Sequence, residues 1–231
     1  MGLFDKLFNN NNNEQEPQVA PQAAAPAGPG REVTLDLSKG GILNLQKNDF
    51  LNLTKTDSTL QDIRVSAGWD VQTSFFGSDF DLDLCAFLLD KDGYLVKGNR
   101  SVVYFSNKSA GGLQLDHDNL TGAGEGDDEN MFVNFGKIAS DVHSVLVCVV
   151  IYDGKGRRQS FSQVRNAYVR LVDQAVRPEK ELARFNLSHD GGKATAVKFA
   201  SLNRTDAGWT FKAVGDYTNA SIAELKRSLQ R

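Results

Sequence analysis

Asp79-Phe80-Asp81-Leu82-Asp83-Leu84-Cys85-Ala86-Phe87-Leu88-Leu89 opens as a strict alternation of acidic and apolar residues and closes as an unbroken apolar run. Residues two apart in an extended strand share a face. Asp79, Asp81 and Asp83 therefore stand on one side, and Phe80, Leu82 and Leu84 on the other. Three carboxylates on one face of a half-buried strand are costly when the local sequence offers no base to pair with them. Two readings follow. The face is an exposed edge guarded by acidic residues, or a cation offsets the charge.

Outward from this strand, short alternating runs recur between turn signals from Val33 onwards, the pattern of an all-β, two-sheet β-sandwich. The predicted strands are Glu32–Leu37, Ile42–Leu45, Ile63–Ala67, Phe80–Leu89, Val102–Phe105, Met131–Asn134, Val145–Tyr152, Ala167–Val172, Leu182–Leu187, Ala194–Asn203 and Gly208–Val214. Asp90-Lys91-Asp92-Gly93 reads as a hairpin turn with glycine at the left-handed position. Helix is scarce. Ser221-Ile222-Ala223-Glu224 carries a capping-box signature, and Ile222, Leu225 and Leu229 follow at helical spacing, which predicts a short C-terminal helix. Phe161 to Val164 reads as one further helical turn.

A second acidic segment lies downstream. Between Lys108 and Lys137 there is no lysine or arginine, yet the stretch holds Asp116, Asp118, Glu125, Asp127, Asp128 and Glu129. Its heart is Asp118-Asn119-Leu120-Thr121-Gly122-Ala123-Gly124-Glu125-Gly126-Asp127-Asp128-Glu129. Glycines at alternate positions let the backbone turn tightly. Carboxylates gathered this way repel one another unless a cation sits among them. Calcium-type ions take six to eight oxygens from carboxylates, amides and backbone carbonyls, and this segment supplies all three. Neither it nor Asp90–Gly93 fits an EF-hand, because Leu120 and Thr121 fill the fifth and sixth places in the one, and the third acidic position and the terminal Glu are missing in the other. A polar, glycine-rich loop of this kind is expected to add little packing through its side chains.

The run Gly68-Trp69-Asp70, the stretch Asp79 to Asp83 and the loop Asp118 to Glu129 together resemble the TerD family, calcium-binding proteins of bacterial tellurium-resistance and stress-response clusters. Val33-Thr34-Leu35-Asp36-Leu37-Ser38-Lys39-Gly40-Gly41 and Gln159 to Arg170 extend the likeness from about residue 32 to the C-terminus. The resemblance implies a TerD-like sandwich over residues 32–231, acting as a non-catalytic stress-response module that binds one or two Ca2+ ions. The candidate ligands are Asp79, Asp81 and Asp83 on the strand, with Asp118, Asn119, Thr121, Gly122, Glu125, Asp127, Asp128 and Glu129 in the loop. Asn119 would give an amide oxygen, and Thr121 or Gly122 a backbone carbonyl. The alternative is a calcium-dependent docking sandwich whose bound ion bridges protein carboxylates and a membrane or partner surface.

Enzymatic readings find less support. The chain has 3 histidines, His117, His143 and His189, and none is spaced with another His or Cys to bind zinc. Gly122 to Gly126 is no phosphate cradle, because Glu125, Asp127 and Asp128 would repel the anion. A two-metal hydrolase would recruit His or Lys beside its carboxylates, and this sequence offers little of either. With a net charge of −3, the cluster Lys155, Arg157, Arg158, Arg165 and Arg170 reads as a solvated face, with some of its arginines neutralising the acidic rim, and no nucleic-acid partner is expected. The 2 cysteines, Cys85 and Cys148, lie in apolar strands and read as reduced core thiols. With no long apolar run and no secretion signal, a cytoplasmic protein is expected, peripheral to the inner face of the membrane if its first residues bind there.

Those first residues differ from the rest. Residues 9–31, with Asn9 to Asn13 and an Ala-, Pro- and Gln-rich stretch, read as a disordered linker. Ahead of it, Leu3, Phe4, Leu7 and Phe8 share one face of a helix over residues 1–8, while Asp5 and Lys6 point elsewhere. An isolated helix this short is marginal in water, so the peptide is expected to order on a membrane surface or on another tellurium-resistance protein.

Overall fold

The computed structural model describes residues 30–34, 41–53, 60–71, 80–98, 101–116, 126–187 and 191–231. Two seven-stranded sheets pack face to face as a sandwich. The first runs β1 (Glu32–Val33), β3 (Phe50–Asn52), β14 (Gly208–Thr218), β13 (Ala196–Thr205), β10 (Ser144–Ile151), β5 (Leu82–Leu89) and β6 (Val102–Val103). The second runs β2 (Leu43–Leu45), β12 (Lys180–Asn186), β11 (Val164–Asp173), β4 (Asp62–Val71), β9 (Glu129–Asn134), β8 (Leu113–Leu115) and β7 (Ser109–Ala110). The all-β sandwich expected from the alternating runs is the observed fold.

The quoted stretch explains itself once β5 is in place. Leu82, Leu84, Ala86 and Leu88 point into the sandwich, where they meet Ile63, Val65, Met131 and Val133 of the facing sheet. Cys85, Phe87 and Leu89 point outward, yet they too are buried, because the C-terminal helix Ile222–Ser228 lays Leu225 against them. An alternating strand becomes continuously apolar where its second face acquires a cover. Cys148 lies directly opposite Cys85 in the β5–β10 register, and both are free thiols, fully buried. Their contact and burial push the Cys85 thiol well above its ordinary range, so Cys85 is not poised as a nucleophile.

The helix begins as its sequence predicts. The Ser221 hydroxyl accepts from the Glu224 N–H, and the Glu224 carboxylate accepts from the Ser221 N–H at 2.7 Å. Phe161–Gln163 forms the further turn, as a 3-10 helix, and Gly93 takes its left-handed conformation at φ 83°. The strands β3, β7 and β8 and a helical turn at Gly154–Arg157 have no counterpart among the predicted elements. The linker 9–31 lies outside the described residues as far as residue 29.

Strand directions bring the acidic segments to one end of the sandwich. Glu129 opens β9 opposite Ala67, near the end of β4. Across the interior, the Glu129 side chain reaches the start of β5.

Candidate functional site

Of the expected metal ligands, Asp81, Asp83, Asp127, Asp128 and Glu129 are described; Asp79, Asp118, Asn119, Thr121, Gly122 and Glu125 lie outside the described residues, as do Leu3, Phe4, Leu7 and Phe8. The three consecutive acids of the loop's end take three separate directions.

Asp127 turns to the outer face of the second sheet. Its carboxylate receives two hydrogen bonds from the Arg170 guanidinium, from Nε at 2.7 Å and from Nη2. Arg64 Nη2 stands 3.7 Å away. The Tyr168 hydroxyl lies 2.8 Å from the Gly126 carbonyl and 3.0 Å from Asp127 Oδ1, and shares its proton between them. Burial and the Asp127 charge push the Tyr168 hydroxyl up to about 12. Arg170 continues to Glu181 at 2.9 Å, and Arg184 closes the chain by binding Glu181 and stacking 4.3 Å over the Tyr168 ring. Gly68 is needed opposite Tyr168, because a Cβ there would stand 2.4 Å from the phenol ring.

Asp128 is 5% exposed and accepts from the Trp69 N–H at 2.8 Å. Burial pushes its carboxyl above the usual range; the Trp69 hydrogen bond opposes this, and the charges of Asp70 and Asp127 add to it. Asp70 is itself held by Asn166 at 2.7 Å, from a β11 bulge where Asn166 has φ 51°.

Glu129 is 1% exposed and crosses between the sheets to accept from the Leu84 N–H. That amide points toward the β6 side of β5, but β6 pairs only with Ala86 and Phe87. A carboxylate from the facing sheet therefore closes the backbone position the short neighbour leaves open. Asp83, 3% exposed, stands two residues from Cys85, and the charges of Asp83 and Glu129 both bear on that thiol. Asp81 Oδ1, Asp83 Oδ2 and Glu129 Oε1 are all shut off from solvent.

The loop's end is thus not the loosely packed, solvated segment its composition suggests: Asp127, Asp128 and Glu129 are built into the framework. Arg170 does neutralise the acidic rim, by pairing with Asp127. The charges of Asp83 and Glu129 both bear on Cys85, and those of Asp70 and Asp127 on Asp128. Among the described residues, no three His, Cys, Asp or Glu side chains converge closely enough to hold a metal ion. The described donors are hard oxygens, the kind calcium takes. No described helix is long and apolar enough to cross a membrane.

A family model described as the TerD domain matches residues 42–229. The chain is 39% identical to the tellurium resistance protein TerD of Alcaligenes sp. over 185 residues, which is 79% of this chain and 90% of that protein. General stress protein 16U of Bacillus subtilis (strain 168) is 36% identical over 195 residues, covering 84% of this chain and 95% of its own. In fold, a homologue of telluride resistance protein (TerD) from Streptomyces coelicolor A3(2) superposes with a TM-score of 0.58 at 22% identity, over 71% of this chain and 94% of that one. The domain match and the near full-length relatives together place this chain in the TerD family.

Proposed function

We propose that this protein is a calcium-binding, non-catalytic module of the stress response of the tellurium-resistance type, working in the cytoplasm. The supporting observation is the gathering of buried negative charge at one end of the sandwich. Asp83, Asp128 and Glu129 are 3%, 5% and 1% exposed. Ionised carboxylates withdrawn from water and set near one another are unfavourable unless positive charge stands close by. Arg170 and Arg64 supply it for Asp127, on the outer face. The charges of Glu129 and Asp83 both bear on the buried Cys85 thiol, in the apolar interior of the strands. A divalent cation drawing its oxygens from Asp79 and residues 118–125, together with carboxylates among Asp81, Asp83, Asp128 and Glu129, would offset that charge. Bound there, calcium supplies charge neutralisation and a brace between the two sheets. The buried free thiols suit a reducing compartment.

Calcium should accordingly stabilise the fold. At about a hundredfold excess over the dissociation constant a single ion adds roughly 2.7 kcal/mol. Magnesium should do less, because it demands octahedral geometry and gives up water reluctantly. Thermal unfolding of the full chain in EDTA, in calcium and in magnesium checks this. The expected order of midpoints is calcium, magnesium, EDTA; coincident midpoints would refute the reading.

A further inference from the structure

The C-terminal helix covers only part of the outer face of the first sheet. Beside it lies a groove of ≈ 370 Å³ whose lining includes Val102, Val150, Tyr104, Phe105, Tyr152 and Ile222. Tyr152 is 43% exposed; its ring meets Phe105 edge-on at 5.9 Å and lies 5.1 Å beneath the Arg157 guanidinium. Aromatic and aliphatic walls of this kind receive the apolar face of an amphipathic segment. The charged residues of the lining are Lys226 and Asp153, both exposed, and the buried Asp83.

This chain carries a matching segment. Leu3, Phe4, Leu7 and Phe8 form two apolar pairs, with Asp5 and Lys6 between them. The peptide's acid and base each find an opposite charge at the exposed rim of the groove, Lys226 and Asp153. Reach is the second argument. The described chain begins at Gly30, just before β1, at the edge of the first sheet. From β1 to β10 there are four interstrand steps of about 4.8 Å, or about 19 Å. Residues 9–29, whose composition reads as a linker, provide 21 positions; a flexible chain of that length would have an end-to-end distance of about 25 Å. Span and tether match, the condition under which effective concentration is greatest. A peptide too short to bind tightly from free solution can then occupy the groove through its tether.

We propose that residues 1–8 dock into this groove of their own chain, between the C-terminal helix and the Tyr104–Phe105–Tyr152 wall. The docked peptide covers the exposed aromatic surface and places Asp5 toward Lys226 and Lys6 toward Asp153.

Paramagnetic relaxation on the full chain tests it. A nitroxide is attached at Asn10→Cys; the native thiols are buried and escape labelling. Amide signals of Phe105, Tyr152, Ala223 and Lys226 should lose intensity, while those of Gln114 and Arg177 on the second sheet should not. Leu3→Asp with Phe4→Asp should restore the groove signals, and so should Ala223→Arg, an exposed helix position that leaves the core untouched. Isotope-labelled chain without nitroxide, mixed with unlabelled spin-labelled chain, should show no loss. Loss in that mixture would assign the peptide to a second copy and overturn the proposal. Groove signals unaffected in the spin-labelled chain, or loss of peptide mobility only on adding phosphatidylglycerol vesicles, would overturn it equally.

Discussion

Replacing Arg170 by Met would strand Asp127, whose side chain is 7% exposed, with Tyr168 and the more distant Arg64 as its remaining donors. Breaking a buried pair from one side costs about 3–5 kcal/mol, and here the loss should fall at or below the lower end, because two donors remain. Urea unfolding of Arg170→Met against the parent measures it. Glu129 poses a different test. Glu129→Ala leaves the Leu84 N–H inside the sandwich without its acceptor, a loss of about 1–3 kcal/mol, plus the packing of the side chain. Glu129→Gln keeps an acceptor oxygen and should cost distinctly less; equal losses in the same urea series would dissociate Glu129 from that amide. How far such roles can be read in advance depends on the distance over which they act. The two faces of Asp81-Leu82-Asp83-Leu84 follow from local alternation, and the acidic end of the sandwich was legible as a place. That Asp127 serves Arg170, 43 residues away, follows from strand registers that no short window contains. Gly68 is similar: its reason is the Tyr168 ring on the neighbouring strand.

The C-terminal helix owes its position to both ends of the sequence hierarchy: a local capping box and a tertiary contact. Glu224 accepts from Ser221 and pairs with Lys155 at 2.8 Å. These contacts, the Lys155 hydrogen bond first, lower its carboxyl from 4.5 to about 2. For a carboxylate depressed in the folded state, the contribution to stability is present above the ordinary value and is lost as pH falls through the folded one. The helix should therefore loosen as pH drops from about 4.5 to 2, and Glu224→Gln should remove that part of the pH dependence while retaining a cap. Amide exchange at Leu225 and Leu229, followed over this window, reports it; an unaltered pH profile in Glu224→Gln would contradict the assignment. Long periodic elements were legible, and so was this helix. The short strands β3, β7 and β8 were not, since two or three residues between turns carry no period; they exist because the neighbouring strand offers backbone partners. The helical turn Gly154–Arg157 was hidden for another reason: it sits between Asp153 and Arg158, both at positive φ, a conformation that neither residue's own preference announces.

For the molecule as a whole, the two sheets are joined by apolar packing over most of their area and by a carboxylate at one end. A buried charge is an odd brace for a sandwich, and the proposed calcium would give it a reason: an ion bound at this end of the sandwich would couple the sheets and make the fold responsive to its concentration. In chelated buffer, Asp128→Asn with Glu129→Gln should stay folded, because both amides still accept from Trp69 and Leu84 while the mutual repulsion is gone. Direct titration of calcium into the EDTA-stripped full chain, followed by calorimetry, decides between a brace of protein atoms alone and one completed by metal. The account predicts saturable binding of one or two ions by the parent chain and loss of that heat in the Asp128→Asn, Glu129→Gln protein. A parent chain that takes up no calcium, or a double variant that binds with undiminished stoichiometry, would contradict it.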